Sequence, residues 1–216
     1  MRNIFIAAGL AALAMTTSAV ASDLPVRDYS NRFDGWYVSV FASNPLNTFK
    51  ADHATNPVSS HKLTGSLAGA ALGRTFQHGN FVFGGEVSLA GGVIEGQSDG
   101  ASCPNNCRTE LNGLGEATLL GGYAWDRLLL YVGGGPTFAV MRSGQTVTGL
   151  HTELVSGVHV KGGAKFAFNR NWAMFAEGEL QRLGDLAYNT PGGHVGINVK
   201  DHKQVRLGLT YSFNSL

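Results

Sequence analysis

Four glutamates, Glu86, Glu116, Glu177 and Glu179, stand in stretches that otherwise read as strands bound for an apolar place. Glu86 is the sharpest case, set in the middle of FVFGGEVSLA, Phe81 to Ala90. A buried carboxylate without a partner costs several kcal/mol or neutralises itself, so each of these groups requires water or a cation. Arg74, Lys161, Lys165 and Arg206 supply four cations that the same alternation of residue types assigns to the polar face. The expected chemistry is therefore an ion-pair network within the fold, with Glu86 facing a cation.

Three other sets of residues carry chemical potential. Asp52-His53 with Ser59 or Ser60 contains an acid, a base and a nucleophile, but closeness in a polar connection does not orient them, and no catalytic residue is assigned. Five of the seven histidines, His53, His61, His151, His194 and His202, fall in long connections or at strand tops, where imidazole can ligate hemin iron or a metal. Their spacing matches no metal-site pattern, so no metal centre is assigned and hemin is the one cofactor considered. Cys103 and Cys107 lie in SCPNNCR and read as a disulfide pinching a loop tip, which requires a tight turn between them.

The elements that must position these groups follow a period of two. Eight strands are expected, over residues 34–42, 62–76, 80–90, 109–124, 128–142, 152–168, 172–184 and 202–213, with no competing amphipathic helix. Gln77–Asn80, Trp125–Arg127 and Asn169–Asn171 are short turns. Ser43–His61, Gly91–Arg108, Ser143–His151 and Asp185–Asp201 are long, polar connections rich in Gly, Pro and Asn. Short and long alternate strictly, as tight periplasmic turns and longer external loops do in bacterial outer-membrane barrels.

Each strand presents two unlike faces. Val205, Leu207, Leu209, Tyr211 and Phe213 alternate with Gln204, Arg206, Gly208, Thr210 and Ser212, and Val158, Val160, Ala164, Phe166 and Phe168 alternate with His159, Lys161, Gly163 and Lys165. A soluble lipocalin-like barrel would bury the apolar face, whereas a membrane barrel turns it to lipid and keeps the polar face inside. Loop asymmetry, aromatics near strand ends (Trp36, Trp125, Trp172, Tyr211, Phe213) and the charge balance of the polar face favour the second. The fold class is thus all-β, an eight-stranded antiparallel up-and-down transmembrane barrel. Its lumen is just wide enough for side chains to fill it. Pro136, inside the fifth strand, cannot donate to the ladder, so a bulge or a ladder break is expected there.

The first residues set the compartment. Arg2, an apolar core from Ile4 to Met15 and the small-x-small motif Ala19-Val20-Ala21 form a secretory signal peptide, residues 1–21. Residues 22–33 follow as a periplasmic segment, and 34–216 as one barrel domain. The whole chain of 216 residues has 16 Lys plus Arg and 15 Asp plus Glu, and the signal removes only Arg2. A neutral mature chain does not advertise nucleic-acid binding. Glycine is abundant, yet GGGP precedes no helix and has no partner Lys, so it is no phosphate loop.

Taken in order, SDLPVR, GWYVSVFAS, FVFGGEVSLAG, GGYAWDRLLLYVGGG, GGAKFAFNRNWAMFAEGEL and the terminal GLTYSF resemble the alphaproteobacterial porin-family outer-membrane barrels. These are OmpA-like surface antigens that include hemin-binding proteins. The resemblance implies loops on the cell surface, both termini in the periplasm, and a C-terminal aromatic signal read by the outer-membrane insertion machinery. The chain departs from the family by continuing through Asn214, Ser215 and Leu216, and by having Leu120 where an inward Arg is common. The expected function is a non-enzymatic surface barrel with an envelope role, whose loops bind a host or envelope ligand. Hemin or metal binding by loop histidines, or a narrow diffusion pore, are the alternatives.

Overall fold

A computed structural model describes residues 32–46, 48–53, 56–100, 103–145, 149–190, 193–198 and 202–213, with side chains described for 32–46, 64–96, 110–142, 152–184 and 202–213. Eleven strands follow in chain order: β1 (Gly35–Pro45), β2 (Thr48–His53), β3 (Asn56–His78), β4 (Phe81–Gly100), β5 (Cys103–Trp125), β6 (Leu128–Gln145), β7 (Gly149–Ala167), β8 (Trp172–Leu183), β9 (Asp185–Thr190), β10 (Gly193–Asn198) and β11 (His202–Phe213). Strand β1 pairs antiparallel with β11 on one side and with β3 on the other. The remaining pairings run consecutively from β3 to β8 and on to β11, so eight strands close a ring without a free edge. In hydrocarbon, such closure is what lets strands satisfy every backbone group.

Side-chain alternation decides the polarity of this ring. In β8 each residue alternates strictly between exposed and buried, and the buried set includes Phe175, Glu177, Glu179 and Gln181. In β11 Arg206 is 1% exposed while Leu207 is 59% exposed. The outer wall carries Val40, Leu89, Leu119, Val132, Val160, Leu180 and Leu209, all exposed. So extensive an apolar wall is untenable in water and matches the lipid-facing band of a membrane barrel. Around the short-turn end the wall becomes aromatic: Phe76 stacks on Phe83, Phe81 meets Tyr123 edge-on, and Trp172, Tyr211 and Phe213 form a continuous edge-to-face chain. Aromatic rings of this kind sit at the membrane interface, apolar on one side and wet on the other.

The lumen is layered. Near the short turns Phe33, Val82, Ala124, Leu129 and Ala173 pack together. Phe33 is held by its backbone: its N–H donates to Gln77 Oε1 at 2.9 Å and its carbonyl accepts from the Thr75 hydroxyl. It therefore belongs to the barrel, not to the preceding segment in which the sequence pattern placed it. Toward the other end Leu67, Ile94, Leu111, Leu114, Ala139, Met141 and Val155 form a second apolar cluster. The polar and charged side chains lie between these two layers and alongside the upper one.

One expectation is adjusted, and that for Pro136 is met as a ladder break. The long connections are largely strand: β3 to β7 continue through most of the residues expected to be loops, β2 folds back on β3, and β9 pairs with β10. Backbone pairing persists beyond the level where one face must meet lipid, and there the alternation that marks a strand in sequence fades. At Pro136 no bulge forms. The β5–β6 ladder pairs Glu116 with Thr137 and Leu119 with Gly134 but lacks the two pairs between, while the β6–β7 ladder stays continuous. The missing N–H interrupts one ladder and leaves the register intact. The expected signal peptide falls in 1–31, and Asn214 to Leu216 follow β11; both lie outside the described residues.

Replacing Leu207 by Arg places a charge on the lipid-facing wall and is expected to destabilise the barrel by about 2–4 kcal/mol. Equilibrium urea unfolding in phospholipid vesicles measures it, and a change near zero would reverse the assignment of faces.

Candidate functional site: the charged lumen

Inward positions two residues apart on one strand share a face, so β8 contributes Glu177, Glu179 and Gln181 together, β7 contributes His159, Lys161 and Lys165, and β11 contributes Arg206. Opposite them Glu86 projects from β4 and Glu116 from β5. Lys161 Nζ lies 2.6 Å from Glu86 Oε1, and the Tyr37 hydroxyl donates to Glu86 Oε2 at 2.8 Å. The carboxylate in FVFGGEVSLA thus meets a cation from β7 and a phenol from β1. Tyr37 has room for this because Gly73 stands beside its ring, and a Cβ there would collide with it.

Arg206 is the second centre. Its Nη1 donates to Glu116 Oε2 at 2.7 Å, its Nη2 to Glu116 Oε1, and Nη2 also stands 2.8 Å from Glu179 Oε2. A bidentate guanidinium–carboxylate fork of this type is among the strongest polar contacts available. Glu116 further accepts from Ser88 at 2.9 Å and from Gln181 at 2.7 Å. Glu177 links the two centres, lying 3.7 Å from Lys161 and 3.6 Å from Arg206 and accepting the Tyr131 hydroxyl at 2.8 Å. Arg206 is also stacked under the Phe41 ring at 4.9 Å.

Lys165 and Arg74 stand apart from this network. Lys165 is inside, but its Nζ lies over the Tyr37 ring at 4.2 Å and makes no carboxylate contact among the described residues. Arg74, expected inside, is on the outer wall: it shares parity with the exposed Leu72 and Phe76, and its guanidinium lies 4.7 Å from the Phe76 ring and 5.5 Å from the Trp36 ring. Of the four cations and four carboxylates expected inside, three cations and all four carboxylates are there. The partners Tyr37, Ser88, Tyr131 and Gln181 were not singled out from sequence, although each has the parity of an inward position. His159 likewise shares the parity of Lys161; it is buried, with Nε2 2.9 Å from Thr118 Oγ1.

Nitrogen and oxygen atoms of Glu116, His159 and Glu179 converge within 4.8 Å, close enough for a metal ion. The Arg206 guanidinium already bridges both carboxylates, so the cluster carries its own cation. Beneath it Tyr37, Glu86, Leu120, Lys161, Lys165 and Glu177 enclose a cavity of about 20 Å³, room for about one water. Leu120 thus takes the inward place that the resemblance reserves for an Arg.

The remaining sequence candidates are scattered. His202 is 0% exposed inside the top of β11, opposite Gln181, and is not presented to solvent as expected. His53, His61, His151 and His194 are on β2, β3, β7 and β10, and their side chains lie outside the described ones. Cys103 and Cys107 face Gly100 and Ser98 along β5, so the backbone there is strand and not the tight turn a bridge between them requires. Their side chains too lie outside the described ones.

Removing Arg206 leaves three carboxylates without their shared cation. Arg206→Met is expected to cost about 3–5 kcal/mol, and Arg206→Met with Glu116→Leu less than the sum of the single changes. Urea unfolding of the four-member cycle reads this coupling, and strictly additive costs would refute it.

No protein-family model matches the chain, and no curated protein matches it. Among solved structures, the barrel is similar to Neisserial surface protein A, with 13% identity over 83% of this chain and 98% of that one and a TM-score of 0.50. It also matches the attachment invasion locus protein Ail of Yersinia pestis, with 11% identity, 83% and 99% coverage and a TM-score of 0.46. The N-terminal barrel domain of Pseudomonas aeruginosa OprF matches with 12% identity, 82% and 96% coverage and a TM-score of 0.45. At 13% identity the likeness to Neisserial surface protein A is one of fold.

Proposed function

We propose that this chain is a bacterial outer-membrane barrel that contributes to envelope integrity and presents its long hairpins at the cell surface for adhesion or recognition. One observation carries the reading: an apolar wall with an aromatic girdle surrounds a lumen filled by an ion-pair network between two apolar layers. Such a lumen is a rigid post, not a conduit, so the diffusion-pore reading is the weaker one. Ligand binding then belongs to the segments displayed on the scaffold, here the β2–β3 and β9–β10 hairpins at the end opposite the short turns. Among the described residues no group in the lumen is arranged for catalysis, and we read the protein as non-enzymatic. Kinship with the alphaproteobacterial porin-family barrels is part of the same proposal and rests on the ordered motifs SDLPVR to GLTYSF.

The test is complementation. In a strain lacking the gene, a variant with residues 48–61 and 185–201 each replaced by a short turn is expected to restore resistance to detergent while failing to restore adherence to host cells. Full restoration of both would place the function in the barrel wall. Failure of the full-length chain to restore either would refute the proposal.

Hemin or metal binding has one supporting observation: β2, which carries His53, lies against β10, which carries His194. Hemin titration followed by absorbance reads it, and the His53→Ala/His194→Ala variant is expected to lose the shift in the Soret band. An unchanged wild-type spectrum would end that reading.

A further inference from the structure

A cation on a lipid-facing wall calls for an anion within the lipid. Arg74 is exposed there, held between Trp36 and Phe76, and it has no carboxylate partner among the described residues. It stands within the aromatic girdle near the Gly79–Asn80 turn, the level at which lipid phosphates reside. Beside it the wall is hollow. Across the ladder Arg74 pairs with Gly85, Gly85 with Leu119, and Leu119 with Gly134, so two of the four positions in this row have no side chain. Leu72, Val87 and Pro136 wall the hollow on one side, giving an open trough of about 620 Å³. From β3 to β6 it spans about 14 Å across the strands, three strand spacings.

We propose that this trough binds one glycerophospholipid of the periplasmic leaflet, with its phosphate on Arg74 and an acyl chain along Gly85, Leu119 and Gly134. The proposal rests on the reading of the chain as an outer-membrane barrel. Charge complementarity selects the occupant: an apolar partner of any kind would fit the glycines, but only one carrying an anion at the girdle also satisfies the guanidinium, whose planar fork matches phosphate.

Gly85 offers a clean probe, because a Cβ there would meet only Thr118 O at 3.7 Å and Leu119 Cδ2 at 3.9 Å. Gly85→Leu therefore puts a side chain into the trough with its Cβ in ordinary contact with the wall. The detergent-folded full chain is examined by native mass spectrometry with phosphatidylglycerol, phosphatidylethanolamine and diacylglycerol of matched chains. One copy of either phospholipid is expected to be retained, and diacylglycerol is not. Arg74→Gln is expected to lower retention about tenfold, the loss of one charge-assisted hydrogen bond. Gly85→Leu is expected to abolish it, and Arg182→Gln, on the far wall, to leave it unchanged. Equal retention of diacylglycerol, or wild-type retention in both Arg74→Gln and Gly85→Leu, would overturn the site. Heat-modifiable gel mobility of each variant separates loss of fold from loss of lipid, and if Gly85→Leu does not fold, Arg74→Gln decides alone. A wild-type chain that stays soluble without detergent would overturn the membrane reading and the site together.

Discussion

Three cations and four carboxylates share the interior of one narrow cylinder, and the arrangement of the rest follows from keeping them satisfied. Lys161 and Arg206 come from β7 and β11, near the end of the chain, while Glu86 and Glu116 come from β4 and β5. The contacts span the lumen and join segments 75 and 90 residues apart. Away from water each ion is costly alone, so the set is stable only when all members are in place. Hydroxyls from Tyr37, Ser88 and Tyr131 and the amide of Gln181 complete the shells that the charges alone leave open. This is an all-or-none condition on strand register, because a slip of one residue would turn a charge to the lipid.

The outer wall answers the opposite requirement. Its side chains gain nothing from one another in hydrocarbon, so packing inside and exposure outside are set by polarity and not by a hydrophobic core. Small residues where side chains must pass, such as Gly73 beside Tyr37, let the wall curve and the lumen fill at once. Arg74 is a cation on this wall, and its placement between two aromatic rings at the girdle shows how a cation is tolerated at the membrane's edge.

At the end away from the short turns the chemistry changes. Here hairpins continue past the level of the wall, and the interior becomes apolar on one side, with Leu111 and Met141, and polar on the other, with Gln204 and His202. Loops on so rigid a base can vary in sequence without disturbing it, which is why function on barrels of this kind is sought in the loops.

The strand alternation, the strict order of short and long connections and the presence of matched inward charges are properties of the sequence alone, because a period of two and a turn signal are local. Glu86 could thus be known to need a cation before any fold was drawn. Which cation it meets could not, since Lys161 lies 75 residues away and register across the ring decides the pairing. Arg74 was misplaced for a related reason: in LAGAALGRTF, Leu67 to Phe76, small residues occupy both faces and blur the parity. The burial of His202 and the extension of the hairpins are not legible in sequence because burial and pairing above the wall depend on neighbours in space, not on residue type. The sequence determined that greasy and charged side chains must part company. Only closure of the ring decided where each one points, because only a closed ring has an inside.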